Sequence, residues 1–385
     1  MNFEPSDEQR MLADSVGRYV AKQGGFARWR QVVASESGRC EEDWQAYADM
    51  GLLGLNVAER YGGIGAGPLE TLIVAEAFGR AMVVEPFVST AVVAVAAFGR
   101  HATDVQRLAW LPSIADGSRR VALAALERDS RYDLHRVATT LRHDGESLRI
   151  DGRKSVVLDA PSAHSFIVSA RERGAVDAED GISLVHVDAN APGVSMTPYR
   201  TIDGRRCADL RLDAVRVTRD DVIASPENGH DALDAAVDRG IAALCAEAVG
   251  AMSALLDLTV DYLRTRRQFG QPIGRFQALQ HRAADMLGAL EQARSMAYVA
   301  AAHADHADAV RRRKAISAAK AVVGRHARFV GENAVQLHGG MGMTDDLAVG
   351  HYFKRLSSID MTWGNTEHHV ERYSDYLSLS TEDPR

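Results

Sequence analysis

The sequence predicts an α+β chain in three successive parts: a helical N-terminal part, a central part of short strands, and a C-terminal bundle of long helices. Apolar residues recur every three to four positions over the first ~115 residues and again from Pro226 onward, the spacing of one buried helix face. From about Val121 to Ala224 they alternate instead, or run as short β-branched stretches between turn signals. No helix-length segment separates those stretches, which argues against a doubly wound nucleotide fold. These changes of texture put the domain limits at 1–118, 119–226 and 227–385.

In the first part, Ser6 with Gln9 three residues on is a capping-box signature, and Met11, Val16, Tyr19 and Val20 follow on roughly one face. A second helix runs through Trp44, Tyr47 and Met50 and stops at Gly51; a further one runs from Leu69 through Ile73 to Phe78. Between them YGGIGAGP is a glycine-rich loop, without the following lysine or the preceding strand of a phosphate-binding loop. The most apolar run, STAVVAVAAFG, is too short to span a bilayer. In the central part VALAAL, VATTLR, SLRIDG, HSFIVSA, ISLVHVD and ADLRLDAVRV read as strands, with HDGES and EDG as turns, and predict an antiparallel barrel or sandwich. In the third part Leu233, Val237, Ile241 and Leu244 mark one helix, and Phe276, Leu279, Ala283, Met286 and Leu290 a second. Ile316, Val323, Ala327, Val330 and Ala334 mark a third, and long helices with short connections predict a bundle.

With 46% apolar and 25% charged residues, the 385-residue chain has the balance of a folded globular protein. Its net charge of −7, with acid and base interspersed, offers neither a nucleic-acid patch nor a basic membrane face. The start, MNFEPSDEQR, is polar and acidic where a secretory signal is basic and then apolar, and Cys40, Cys207 and Cys245 show no metal or redox spacing. A cytoplasmic protein with no nucleic-acid or membrane partner is the expectation. HADHAD, from His303 to Asp308, lies just before RRRK and reads as a connection between helices, so no metal ligands are predicted.

Two stretches of the bundle carry chemistry. In YLRTRRQFGQPIGRFQALQHRAADM, Arg264, Arg266 and Arg267 crowd a helix C-terminus beside Phe269, Gly270 and Gln277. Cations there suit the helix dipole and Gly270 would end the helix; alternatively Arg266 pairs with a phosphate or pyrophosphate while Phe269 covers an aromatic ring. In QLHGGMG, Gly339 and Gly340 follow a helix, where glycine either stops it or admits another molecule's phosphate or ribose, with Gln336 as a hydrogen-bonding neighbour. One stretch supplies charge and an aromatic face, the other close backbone and an amide, and together they suit a dinucleotide.

At these residues the sequence resembles the acyl-CoA dehydrogenase family, flavoproteins with a helical N-terminal domain, a β domain and a C-terminal four-helix bundle. RRQFGQPIGRFQALQHRAADM and QLHGGMG look like the family's two C-terminal signatures, and the similarity runs along essentially the whole chain. In the family this bundle is the dimer interface, and the signatures hold the ADP half of an FAD seated mainly in the neighbouring subunit. The resemblance therefore implies that Arg266, Phe269, Gln277, Gln336, Gly339 and Gly340 contact a partner's FAD.

The flavin-ring half departs from the family. Its β domain carries Thr-Glu and a small turn ending in Ser-Asp; here LERDSRYD matches only at Glu127 and Asp133, with Tyr132 in place of the serine. Where the family reads Trp-Ile-Thr-Asn-Gly after a lysine, the residues after Lys154 include Val156, without a ring to cover the isoalloxazine, and Leu158, without a hydroxyl for its N5 edge. The general base is missing too, a loss of about 10²–10⁴ in rate for a positioned base. Trp363 occupies the place of the glutamate in Tyr-Glu-Gly-Thr, and Gly240 the alternative base position on the first bundle helix, so no catalytic residue is assigned. Asp238, Glu247, Asp360 and Glu367 lie nearby in sequence and are expected to be solvated helix charges or ion pairs, and His368 and His369 to pack at a subunit interface.

This pattern is similar to the small subunit of pimeloyl-CoA dehydrogenase and to paired subunits of heteromeric α2β2 bacterial enzymes. It implies a base-lacking β subunit that completes the FAD site of a catalytic acyl-CoA dehydrogenase homologue, the α subunit, acting on an acyl-CoA and passing electrons to an electron-transfer flavoprotein. A homodimeric flavoprotein using Asp238 or Glu367 as base, or doing other flavin chemistry, and a flavin-free acyl-CoA-binding scaffold are the alternatives.

Overall fold

Residue Ser6 opens the first helix as its pattern predicts, in a computed structural model that describes residues 5–23, 25–145 and 147–379. Its hydroxyl accepts from Gln9 N at 3.1 Å, and the Gln9 amide accepts in return from Ser6 N at 2.9 Å, which caps α1 (Asp7–Lys22). The buried stripe of α1 runs through Val16 and Val20, with Tyr19 and Leu12 partly covered. Met11, expected on that face, is 71% exposed, because it stands one residue, or about 100°, off the stripe. There follow α2 (Gly25–Ala34), α3 (Glu41–Asp49) and α4 (Pro68–Ala81). Met50 caps α3 and Gly51 leaves the helix at φ 75°. In the loop before α4, a Cβ on Gly63 would stand 2.1 Å from Val57 O, so only glycine fits. The apolar run becomes a π-helical stretch, Phe87–Ala94, continuing into α5 (Val95–His101), and α6 (Asp104–Ala115) carries its own capping box from Thr103 and Gln106.

The strands are β1 (Val121–Ala124), β2 (Thr140–Asp144), β3 (Ser147–Leu158), β4 (Ser165–Arg171), β5 (Ile182–Asp188), β6 (Val194–Arg200), β7 (Arg206–Val217) and β8 (Val222–Ala224). They form one sheet in the order β6-β7-β3-β2-β4-β5-β8, with β1 added on β4. The pairing is antiparallel except that β4 runs parallel to β1 and, at a single residue pair, to the start of β2. Glu146 of the HDGES turn lies outside the described residues; Asp144 and Ser147 pair on either side of it. Strands β6 and β8 were not anticipated. The first is an edge strand with Pro198 inside it and mostly exposed side chains, so its alternation lasts only four residues; the second has three residues.

The C-terminal part comprises α7 (Gly229–Thr265), a two-residue hairpin of β9 (Arg267–Gln268) and β10 (Gln271–Pro272), α8 (Gln277–His303), α9 (Ala309–His338), α10 (Ala348–Met361) and α11 (Thr366–Leu379). Helix α7 is long and apolar enough to cross a membrane, and 83% of its most apolar window is buried against the rest of the protein. Asp308, in HADHAD, caps α9 through Val310 N and Arg311 N.

The residues group into two compact units. One takes 32–67 and 84–240; its core lies on the sheet, around Ile150, Phe166, Val168, Val185, Leu210 and Val215. The other takes the described parts of 1–31, 68–83 and 241–385, so α1 and α4 share a core with the bundle. There α4 meets α7 backbone to backbone: a Cβ on Gly79 would stand 1.9 Å from Glu247 O, and one on Gly250 1.8 Å from Glu76 O.

Candidate functional site

Helix α7 ends at Thr265, and the arginine-rich stretch folds into the β9–β10 hairpin. Gly270 therefore does not end the helix, as its position had implied; it lies in the hairpin turn at φ 80°, preceded by Phe269 at φ 53°. Two left-handed residues are what a tight hairpin turn requires, but phenylalanine adopts that conformation at a cost. Phe269 is also 89% exposed, and its ring meets Phe276 edge-on with centroids 6.0 Å apart. Arg266 and Gln277 are exposed and make no side-chain hydrogen bond or ion pair among the described residues.

At the end of α9, Gly339 turns the chain at φ 60°, and Cβ atoms placed on Gly339 and Gly340 would meet nothing within 4 Å. Backbone conformation explains the first glycine and nothing in the chain explains the second, which leaves room for another molecule. Gln336 is exposed beside them. The two stretches are joined by residues that sequence reasoning passed over. Tyr262, one turn before Arg266, stacks on His338 with ring centroids 4.3 Å apart, and its hydroxyl donates to His338 O at 3.4 Å. Both looked like ordinary helix residues; their positions beside the two signatures were the available signal.

In the sheet, Lys154 is fully buried and donates to Glu127 Oε1 at 2.8 Å, Ser169 Oγ at 2.9 Å and Ala125 O at 3.3 Å. Burial pushes the Lys154 ammonium down to about 8, against the pull of Glu127. Burial pushes the Glu127 carboxyl up, but Lys154 and the Thr139 N–H outweigh it and hold it below its ordinary range. Glu127 also accepts from Ala138 N, so it is spent on the frame. Beyond Lys154 a bulge in the β3–β7 pairing throws out Val156 at φ 54°, half-exposed and pinned by Asp209 Oδ1 to its N–H at 3.0 Å. A β-branched residue at positive φ is an outlier, so this turn keeps a demanding backbone while its side chain is only an isopropyl. Leu158 and the half-exposed Tyr132 likewise offer no N5 donor and no small turn.

The acids near the expected base positions are not solvated charges, with one exception. Glu247 is buried and pairs with Arg355 Nε at 2.7 Å, and Asp360 is buried and pairs with Arg328 at 3.2 Å. Asp238 is fully buried on α7, and only Glu367 is exposed, on the first turn of α11, accepting from Asn365 at 2.6 Å. Gly240 lies buried within α7, and Trp363 stands in the α10–α11 connection at φ 54°. His369 is not at a surface awaiting a partner: it is 0% exposed within its own chain, with His368 edge-on to it.

Three sequence models of one family match the chain end to end: the acyl-CoA dehydrogenase N-terminal domain at residues 6–118, the middle domain at 122–215 and the C-terminal domain at 227–376. The chain belongs to the acyl-CoA dehydrogenase family. These are FAD-dependent oxidoreductases acting on CH–CH bonds. The acyl-CoA dehydrogenase FadE12 of Mycobacterium tuberculosis is 31% identical over 356 residues, 90% of each chain. Isovaleryl-CoA dehydrogenase of Pongo abelii is 26% identical over 94% of this chain and 86% of its own. A solved variant of the Tcur3481–Tcur3483 steroid ACAD superposes with a TM-score of 0.88 at 31% identity, covering 97% of this chain and 99% of that one. The glutaryl-CoA dehydrogenase complex with glutaryl-CoA, at 23% identity and a TM-score of 0.90, shares the fold.

For an acyl-CoA dehydrogenase, the two halves of the FAD site fare differently. The exposed Phe269, the uncommitted guanidinium of Arg266 and the open backbone at Gly340 fit the nucleotide half. Val156, Leu158 and the committed Glu127 do not fit the ring half.

Proposed function

We propose that this chain is the base-lacking small subunit of a heteromeric acyl-CoA dehydrogenase, completing an FAD site whose ring-binding half and glutamate belong to a homologous catalytic subunit. One observation carries this reading: the nucleotide-side residues are exposed and uncommitted, while both base positions hold Gly240 and Trp363 and the buried acids Glu247 and Asp360 are paired. FAD supplies, when bound, the acceptor for the hydride leaving Cβ of an acyl-CoA, and the base that takes the α proton comes from the catalytic subunit. In this chain Arg266 would neutralise the pyrophosphate, Phe269 cover the adenine, Gln277 and Gln336 hydrogen-bond the nucleotide, and Gly339 and Gly340 admit it.

The 31% identical steroid ACAD, with two gene products in its name, supports both a paired assembly and a bulky acyl-CoA substrate. Three buried cysteines, none in a disulfide, accord with a reducing cytoplasm, and an electron-transfer flavoprotein is the proposed acceptor. The test is the visible spectrum of the chain purified alone and then co-expressed with a relative that keeps Tyr-Glu-Gly-Thr. Colourless alone and yellow together, at about one FAD per pair, is the expected result, and Arg266→Ala then strips flavin from the pair, as loss of a charge-assisted bond worth about 1.5–3 kcal/mol implies. A yellow protein alone, bleached by an acyl-CoA, would overturn the proposal in favour of a homodimer with its own base.

A further inference from the structure

The connection between α10 and α11 holds more buried polar structure than a helix-to-helix link needs. Two successive residues, Trp363 and Gly364, take positive φ values of 54° and 114°. Glycine accepts that conformation freely and tryptophan only at a cost, so the chain keeps a strained backbone at Trp363 where a glycine would serve better.

Three buried side chains, of Lys320, His369 and Asp360, secure the main chain of this turn. Lys320 on α9, 0% exposed, donates to Asp360 O and to Gly364 O, each at 2.7 Å. His369 on α11, 0% exposed, faces Trp363 O with Nε2 at 3.1 Å and the Ser317 hydroxyl with Nδ1 at 3.4 Å, which sets the tautomer with Nε2 protonated and donating. Burial, reinforced by the Lys320 charge, keeps this imidazole neutral. The Asp360 carboxylate accepts from Thr366 N at 3.2 Å and Thr366 Oγ1 at 2.9 Å, closing the turn on itself. Gly324 on α9 makes the approach possible, since a Cβ there would stand 2.2 Å from Asp360 Oδ1. A Cβ on Gly364 would meet the His368 and His369 rings at 2.5 and 2.6 Å, so the turn is also packed from the α11 side. A buried ammonium and a buried imidazole, both bonded to main-chain carbonyls, fix the strained backbone that carries the Trp363 side chain, which is the arrangement of a positioned group.

We propose that Lys320 and His369 are positioning residues that hold the Trp363 indole as a fixed apolar wall on the turn where the family carries its base. The absence of a base here is then a built feature, with the place filled and held. This deepens the small-subunit reading, while its geometry and its test require neither flavin nor partner, so the two fail separately.

The experiment is acrylamide quenching of the fluorescence of Trp363, isolated as the difference between the protein and Trp363→Phe; Trp29, Trp44 and Trp110 are common to both. The held indole is expected to be quenched several-fold more slowly than free tryptophan. In Lys320→Met, and independently in His369→Phe, which keeps ring volume but removes the donor, the Trp363 component quenches roughly threefold faster or more, the scale of local opening. The same substitutions in the Trp363→Phe background leave the remaining emission unchanged, which a general loosening of the fold would not. Should Lys320→Met fail to fold, His369→Phe decides alone. A Trp363 component as accessible as free tryptophan in the unaltered chain, or unchanged in a cooperatively folded His369→Phe, overturns the proposal.

Discussion

Residue by residue, the polar groups of this chain are mostly committed inside it, and that is what separates frame from site. Lys154 and Glu127 form a buried pair with side-chain exposures of 0% and 11%. Replacing Lys154 by methionine leaves a buried carboxylate without its cation, and stability should fall by about 3–5 kcal/mol, read from guanidinium unfolding midpoints. The sequence matched Glu127 to a flavin-side motif, yet its partners are Lys154, Ala138 and Thr139, contacts made between strands that no local pattern announces. Histidine supplies the pH dependence. His186 is buried against Trp110, ring centroids 3.7 Å apart, and burial pushes it down to about 4 from 6.5, so the unfolded state binds its proton first as pH falls. Stability from His186 is full above pH 6.5 and is lost on acidification toward pH 4, at no more than about 1.4 kcal/mol per pH unit for one proton. His186→Phe should flatten the unfolding free energy between pH 6.5 and 5 relative to the unaltered protein; an unchanged slope would contradict the assignment.

Among the elements, those with a long and regular period were readable and those defined by an edge or a turn were not. The stripes of α7 and α9 are buried where the spacing put them, with Leu233, Val237, Val323 and Val330 in the core; in α8 Met286 and Leu290 are buried, while Leu279, Ala283 and Phe276 just before the helix are only half-buried. The edge strand β6 alternates only from Val194 to Thr197, where Val194 and Met196 lean on the core, and Pro198 ends the pattern. The β9–β10 hairpin was hidden in a run that reads as a helix end, since arginines and a glycine suit either. Its turn gives a test of function against stability. Phe269→Gly should leave the fold equally stable or improve it by up to about 1 kcal/mol, by relieving a left-handed phenylalanine, while lowering the flavin content of the assembled pair. Thermal melts and the ratio of flavin to protein absorbance measure the two effects; a destabilised fold with undiminished flavin would mean that the ring serves packing.

At the scale of the whole molecule, the compact units do not follow chain order. Helix α4 shares a core with the bundle, through the Gly79 and Gly250 contacts, Arg80 to Asp257 at 2.6 Å, and Arg80 to Ser253 at 2.8 Å. A fragment of residues 227–376, the span of the C-terminal family model, lacks α4 and would expose the α7 face that it covers. Such a fragment should show helical circular dichroism without a cooperative melt, in contrast to the full chain; a sharp transition for the fragment would show that the bundle is self-sufficient.

By itself the sequence determined the order of helices, strands and helices and the family, because periodicity and short signatures are local properties. Its resemblance to the family also led to the expectation that Trp363 and Gly240 stand where a base would be. Only the tertiary structure decided which charges are free. Glu247 and Asp360, expected as solvated charges or ion pairs, prove to be buried ion pairs, and Lys154 is buried and paired with Glu127, while Arg266 and Phe269 remain exposed. The physical reason is that a charge enters the interior only opposite a partner, and these partners lie far along the chain: Arg355 for Glu247, 108 residues away, and Lys320 for the Asp360 and Gly364 carbonyls, 40 and 44 residues away.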